Sequence, residues 1–173
     1  MTVTAVRNAA WVVAWDAASR RQVYRRNLDV VFENDTLVHV GVGYAGRADT
    51  SLDGRGLMIL PGLVDIHAHP GHEPAFRGIR EEHGVRGQYM TGLFERSQAY
   101  GPADAATRAA STEVACCELL KSGVTSVVDI GPPWDGWADL IAKSGLRGFL
   151  APGFASARWK MTSDSGIDYA WDE

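Results

Sequence analysis

The chain has 173 residues, 46% of them hydrophobic and 22% charged, with a formal net charge of −4; this is the composition of a globular protein able to bury a core. The acidic balance offers no basic patch for nucleic acid, and no apolar run approaches the ~18 residues of a membrane span, so neither is expected as a partner. No charged start followed by an apolar core marks a signal peptide, and the two cysteines, Cys116 and Cys117, are adjacent; on the helix predicted there their side chains diverge, which disfavours both a mutual bridge and joint metal ligation and reads as cytoplasmic thiols.

Residues 2–60 read as a series of short strands. Ala10–Trp15 is apolar and aromatic, Asp16–Ser19 is a turn, and Arg20-Arg21 with Arg25-Arg26 form the solvated side of a hairpin. Leu28, Val30 and Phe32 alternate with Asp29, Val31 and Glu33, and Asn34-Asp35 turns the chain into Thr36–Val40. His39 on that strand is expected to be structural or exposed. Asp53–Gly56 is another turn, and Leu57–Leu60 leads into Pro61.

Leu63–Ala68 is a short apolar run between Pro61-Gly62 and Pro70-Gly71, too short for a helix and therefore read as a buried strand. Side chains alternate along a strand, so Asp65, His67 and His69 share one face while Val64, Ile66 and Ala68 share the other. The two histidine Cβ atoms are then about 6 to 7 Å apart, a distance from which both rings can reach one divalent ion at about 2.0 to 2.1 Å. The competing use of such histidines is hydrogen bonding to backbone carbonyls.

A long connection follows over residues 70–101, with helical spacing around Gln88–Gln98. His72 and His83 are candidates to complete a zinc site, although loop histidines are more often solvated. Arg77 is a candidate for holding an anionic or carbonyl group in its planar fork, against an ion pair with Glu73 or Glu81. From Pro102 to Ser122 the pattern is a helix ended by Gly123, with Ala106, Ala110, Val114, Cys117 and Leu120 as the packing stripe and Arg108, Thr112 and Lys121 away from it. Val124–Ile130 is a second buried strand, and Asp129 near its end is placed either to support a ligating histidine or to cap the next loop. Asp135–Ser144 is a shorter helix ended by Gly145, and Leu146–Phe154 a third strand. Arg158 and Trp159 fall on a loop, where a cation and an aromatic wall would line a pocket for a planar substrate. Residues 161–173 show no clear period.

Pro61-Gly62-Leu63-Val64-Asp65-Ile66-His67-Ala68-His69 resembles the first-strand signature of the amidohydrolase superfamily at every position. Glu118–Asp129 is similar to the helix, glycine and second barrel strand of the branch that holds cytosine and guanine deaminases and the triazine hydrolases. The resemblance implies an α/β fold: an incomplete (β/α)8 TIM-type barrel, its first three strands in residues 61–173, preceded by part of a small β-sandwich domain in residues 1–60. It implies a hydrolase that attacks carbon–nitrogen bonds of amides, cyclic amidines or amino- and chloro-substituted N-heterocycles with metal-activated water. One or two divalent ions, zinc by preference, would be held by His67 and His69, with Asp65 and Asp129 supporting them and Arg77, Arg158 and Trp159 toward a small-molecule substrate. No residue is singled out as the catalytic acid or base.

A complete barrel needs about 250 residues, more than the whole chain. Two ligands are also fewer than the three of a catalytic zinc site. The expectation is therefore the N-terminal portion of a longer hydrolase, homo-oligomeric at full length, or half of a split enzyme whose second chain supplies the remaining strands. The rival readings are a non-catalytic scaffold of the same fold and a small metal-binding module finished by His72 or His83.

Overall fold

Residues 1–77, 104–154, 156–163 and 166–171 are described by the computed structural model, in which the chain divides between Pro61 and Gly62 into two units. The first contains β1 (Val3–Ala9), β2 (Trp11–Asp16), β3 (Arg21–Arg25), β4 (Leu28–Glu33), β5 (Thr36–Gly41), β6 (Thr50–Asp53) and β7 (Met58–Ile59). The turn at Asn34, in left-handed backbone at φ 54°, closes the hairpin of β4 and β5, and residues 17–20 close that of β2 and β3. Two sheets result, in the orders β5-β4-β1-β6 and β3-β2-β7. Ala9, Val12, Leu28 and Val30 form the buried cluster of this unit, with Ala14 and Ile59 packed against it.

β4 is buried on both faces from Leu28 to Val31, including Asp29 at 4% exposure. That carboxylate accepts the backbone N–H groups of Asn8 (2.8 Å) and Tyr44 (2.9 Å) and the Arg7 guanidinium (3.1 Å). Burial of a charge is tolerated where hydrogen bonds saturate it. The Asn8 N–H is the main reason the Asp29 pKa lies below its ordinary value; burial acts against it, and Tyr44 and Arg7 add to the lowering.

The second unit contains β8 (Leu63–Ala68), α1 (Ala105–Lys121), β9 (Val124–Gly131), α2 (Trp137–Ser144), β10 (Arg147–Pro152), β11 (Ala157–Ser163) and β12 (Gly166–Trp171). β8, β9 and β10 form one parallel sheet in the order β10-β9-β8, and helices connect the strands because parallel neighbours need a crossover. Gly62 is required where the chain enters β8, since a Cβ there would collide with the Thr125 side chain. Asp104 caps α1 by accepting the Thr107 N–H at 2.7 Å. Gly145, at φ 87°, ends α2 in the left-handed region that a Cβ disfavours. The core joins Cys116, Val127, Trp137, Ile141 and Leu146, and each large apolar side chain so buried contributes about 1.5 to 3 kcal/mol. None of the described helices is long and apolar enough to cross a membrane.

Three local expectations are corrected. The stripe Ala106, Ala110, Val114, Cys117 and Leu120 is exposed, and α1 instead buries Ser111, Thr112, Ala115 and Cys116. Thr112 fits there because its hydroxyl donates to the Arg108 carbonyl at 2.9 Å, so the helix turns a small, internally satisfied polar face to the sheet. Among the described residues β8 is the edge strand of its sheet rather than a buried one, with Leu63, Val64 and Ile66 at 52%, 62% and 74% exposure. Arg158 and Trp159 lie on β11, paired antiparallel with β12, not on a loop; Arg158 stands opposite Ala170 and Trp159 opposite Tyr169. Pro102, His83 and the segment 88–98 lie outside the described residues.

Candidate metal centre

The pairing of β8 with β9 slips where the histidines lie. Asp65 pairs with Val127 and Ala68 with Asp129, so three steps along β8 face two along β9. Such a bulge takes an amide out of the ladder and re-aims the local side chains. The displaced amide has a partner: the His67 N–H donates to Asp65 Oδ1 at 3.0 Å. Asp65 therefore holds the strand's backbone rather than an imidazole ring.

Beyond the bulge the two rings meet. His67 Nε2 and His69 Nε2 are 3.2 Å apart, with the rings edge to face at 78°. Two nitrogens at that separation, each 2.0 to 2.1 Å from a shared ion, subtend an angle of about 100° at it, close to tetrahedral. His69 Nδ1 lies 2.6 Å from the Ile130 carbonyl. A carbonyl can only accept, so Nδ1 carries the proton and Nε2 presents a bare lone pair. Carbonyl bonding, one of the two uses expected of these histidines, is present at His69, and it leaves Nε2 free to face His67.

His69 is fixed from a third side by His72, whose ring stacks on it with centroids 5.2 Å apart. Burial holds the His72 pKa below its ordinary value, with His69 and Arg108 acting in the same direction and Glu73 against them. The lowered pKa favours the neutral form of His72 beside the two rings. Among the described residues, no cluster of three or more His, Cys, Asp or Glu is arranged to hold a metal.

His67, His69 and Asp65 line a cavity of ≈ 290 Å³ together with Arg77 and Glu118. The Arg77 guanidinium is engaged by Glu118 at 2.5 Å and Glu73 at 3.0 Å, and the Glu118 contact is the first cause of its raised pKa. The ion pair with Glu73, the competing expectation for Arg77, is present, and Glu118 joins it without having been expected from the sequence. Asp129, one residue before Ile130, is at 3% exposure, and its Oδ2 accepts the Trp137 indole N–H at 2.6 Å. Burial raises its pKa; the indole bond and His69 lower it less. The Ile130 carbonyl and Trp137 left no sequence signal, since a backbone acceptor has no side chain and a tryptophan on a helix does not announce which acceptor its N–H will meet.

Fold and site together define an α/β protein in which two histidine rings converge at the end of a strand of a three-stranded parallel sheet. No family model matches the chain. It is 30% identical over 132 residues to the 5'-deoxyadenosine deaminase of Methanosarcina acetivorans, covering 74% of this chain and 29% of that protein. It is 29% identical to the 5-methylthioadenosine/S-adenosylhomocysteine deaminase of Thermococcus onnurineus, covering 76% and 31%. Its structure matches atrazine chlorohydrolase from Arthrobacter aurescens complexed with zinc at a TM-score of 0.66 and 25% identity, covering 86% of this chain and 35% of that one. The chain belongs to the amidohydrolase superfamily, and it spans only about a third of the length of these relatives.

Proposed function

We propose that the chain forms the metal-binding start of a hydrolase acting on carbon–nitrogen bonds of substituted N-heterocycles. The observation that carries the reading is the 3.2 Å separation of two Nε2 atoms, one of them kept bare by the Ile130 carbonyl. His67 and His69 would hold a divalent ion, zinc by the chemistry of imidazole donors and by likeness to the zinc-complexed neighbour. Bound there, the ion supplies Lewis acidity and lowers the pKa of water from ~15.7 toward ~7. The chain's own residues bind and orient: Asp65 fixes the bulge that aims His67, and Ile130 and His72 fix the plane of His69.

In this reading β8, β9 and β10 are the first three strands of a (β/α)8 barrel and residues 1–60 part of a β-sandwich. Further polypeptide, continuous with the chain or supplied by a second one, completes the barrel and the ligand set. Two facts support it: the relatives are about three times as long, and β8 leaves apolar Leu63, Val64 and Ile66 uncovered among the described residues. His72 finishing a self-sufficient module is disfavoured, since its ring stacks on His69.

The proposed substrate class is supported by the relatives, whose names join adenosine-derivative deaminases with an atrazine chlorohydrolase. Each presents a flat, nitrogen-rich ring with a leaving group on an electron-poor carbon; water adds there and ammonia or chloride departs. The test is ammonia release from 5'-deoxyadenosine and 5-methylthioadenosine, and chloride release from atrazine, by the zinc-loaded complete protein. Ammonia or chloride release that disappears in a His67→Ala variant is the expected result. A complete protein that takes up zinc yet releases neither contradicts the substrate class, and one that takes up no zinc contradicts the reading itself.

A further inference from the structure

His69 owes its bare Nε2 to a single backbone oxygen, so whatever places that oxygen governs the ligand. Ile130 is the penultimate residue of β9; the last, Gly131, pairs with Pro152 of β10 and accepts the Gly153 N–H at 2.8 Å, and the chain then leaves through Pro132-Pro133. Neither proline can donate a backbone hydrogen bond. Besides this pairing on the sheet, the exit is tied from the helix side by Trp137, the first residue of α2: its indole N–H reaches Asp129, the neighbour of Ile130, at 2.6 Å. Both side chains are buried, Trp137 at 6% and Asp129 at 3% exposure. Trp137 is also part of the hydrophobic core with Val127, Ile141 and Leu146, so the donor is anchored by packing that does not depend on the metal site.

We propose that Trp137 and Asp129 are positioning residues for the metal ligand His69: their buried indole–carboxylate bond holds the end of β9 so that the Ile130 carbonyl receives the Nδ1 proton. The metal-binding assignment of His67 and His69 is the premise. The route runs through three short steps, Trp137 to Asp129, Asp129 to Ile130 along the backbone, and Ile130 to His69. A carboxylate is used because it accepts the indole strongly, and its burial excludes water that would compete for the same N–H. Without the bond, the strand end and the carbonyl shift or fluctuate, and the His69 proton redistributes between its two nitrogens.

The test measures zinc affinity of the complete protein by competition with a chromophoric chelator, and reads the His69 tautomer in the metal-free protein from imidazole ¹⁵N shifts. Trp137→Phe keeps the ring and removes the N–H; it is expected to weaken zinc binding about 10- to 100-fold, the range for losing an outer partner of a ligating histidine, and to mix the tautomers. Asp129→Asn retains an acceptor oxygen for the indole and is expected within about threefold of the parent by the same comparison. Ile141→Val removes one methyl from the core around Trp137 while keeping the indole N–H and its acceptor, and should leave zinc affinity unchanged. If Trp137→Phe alone does not fold, the Trp137→Phe, Asp129→Asn double variant, which leaves no unpaired charge, is expected to show the same zinc loss. Unchanged zinc affinity and tautomer in Trp137→Phe or in the double variant would overturn the relay, as would an equal loss in Ile141→Val. A parent protein that binds no zinc overturns the premise instead, so the two failures are told apart.

Discussion

Asp29 and Asp129 are both buried, each in the core of its own unit, yet they are treated oppositely. Asp29 is met by two backbone N–H groups and a guanidinium and sits below its ordinary pKa. Asp129 is met by one indole and sits above it. Donor count decides the sign: three donors outweigh the cost of removing a carboxylate from water, and one does not. In the first unit the carboxylate is structural cement, gathering Asn8, Arg7 and the Tyr44 segment onto β4. In the second it accepts the Trp137 indole and stands one residue before the Ile130 carbonyl that meets His69.

That contrast can be broken or sharpened by substitution, beginning with the largest effects. His69→Ala removes a ligand outright and is expected to lower zinc affinity of the complete protein by more than about 100-fold, exceeding the loss of any outer partner; chelator competition checks it, and thermal unfolding should barely change. Asp29→Ala should do the reverse. It strands the Asn8 and Tyr44 amides and Arg7, costing about 3 kcal/mol by denaturant unfolding, with zinc affinity preserved.

Acid unfolding sharpens the comparison further. The folded Asp29 pKa is depressed, so its stabilisation is fully present above the ordinary value of 3.8 and is lost as pH falls through the folded value. Asp29→Asn is therefore expected to flatten the loss of stability below about pH 3.8, measured as the urea midpoint at a series of pH values. The smallest effect is expected from Arg77→Met. Because both carboxylate partners are exposed and the guanidinium is already engaged, zinc affinity should stay within about twofold of the parent, the scale of an exposed ion pair.

How much the sequence revealed depended on where its signals came from. Pro61-Gly62 and Pro70-Gly71 bracket β8 so tightly that the strand and its two histidines were legible from the residues alone, as were Gly123 and Gly145 as helix ends. The bulge was not, because it arises from the register between β8 and β9 and no residue in β8 encodes it. α1 was placed correctly but turned the wrong way. Its apolar stripe is visible in the sequence, whereas burial of Ser111 and Thr112 follows from close packing on the sheet and from a hydroxyl that satisfies itself on its own helix. β11 and β12 were missed since their residues, among them Arg158, Lys160 and Asp168, alternate too weakly to announce a strand.

The most direct measurement is anomalous diffraction at the zinc edge from crystals of the zinc-loaded complete protein. A peak about 2.0 to 2.1 Å from the Nε2 atoms of both His67 and His69 is the predicted result. Zinc elsewhere, or a peak bonded to only one of the two rings, would contradict the account.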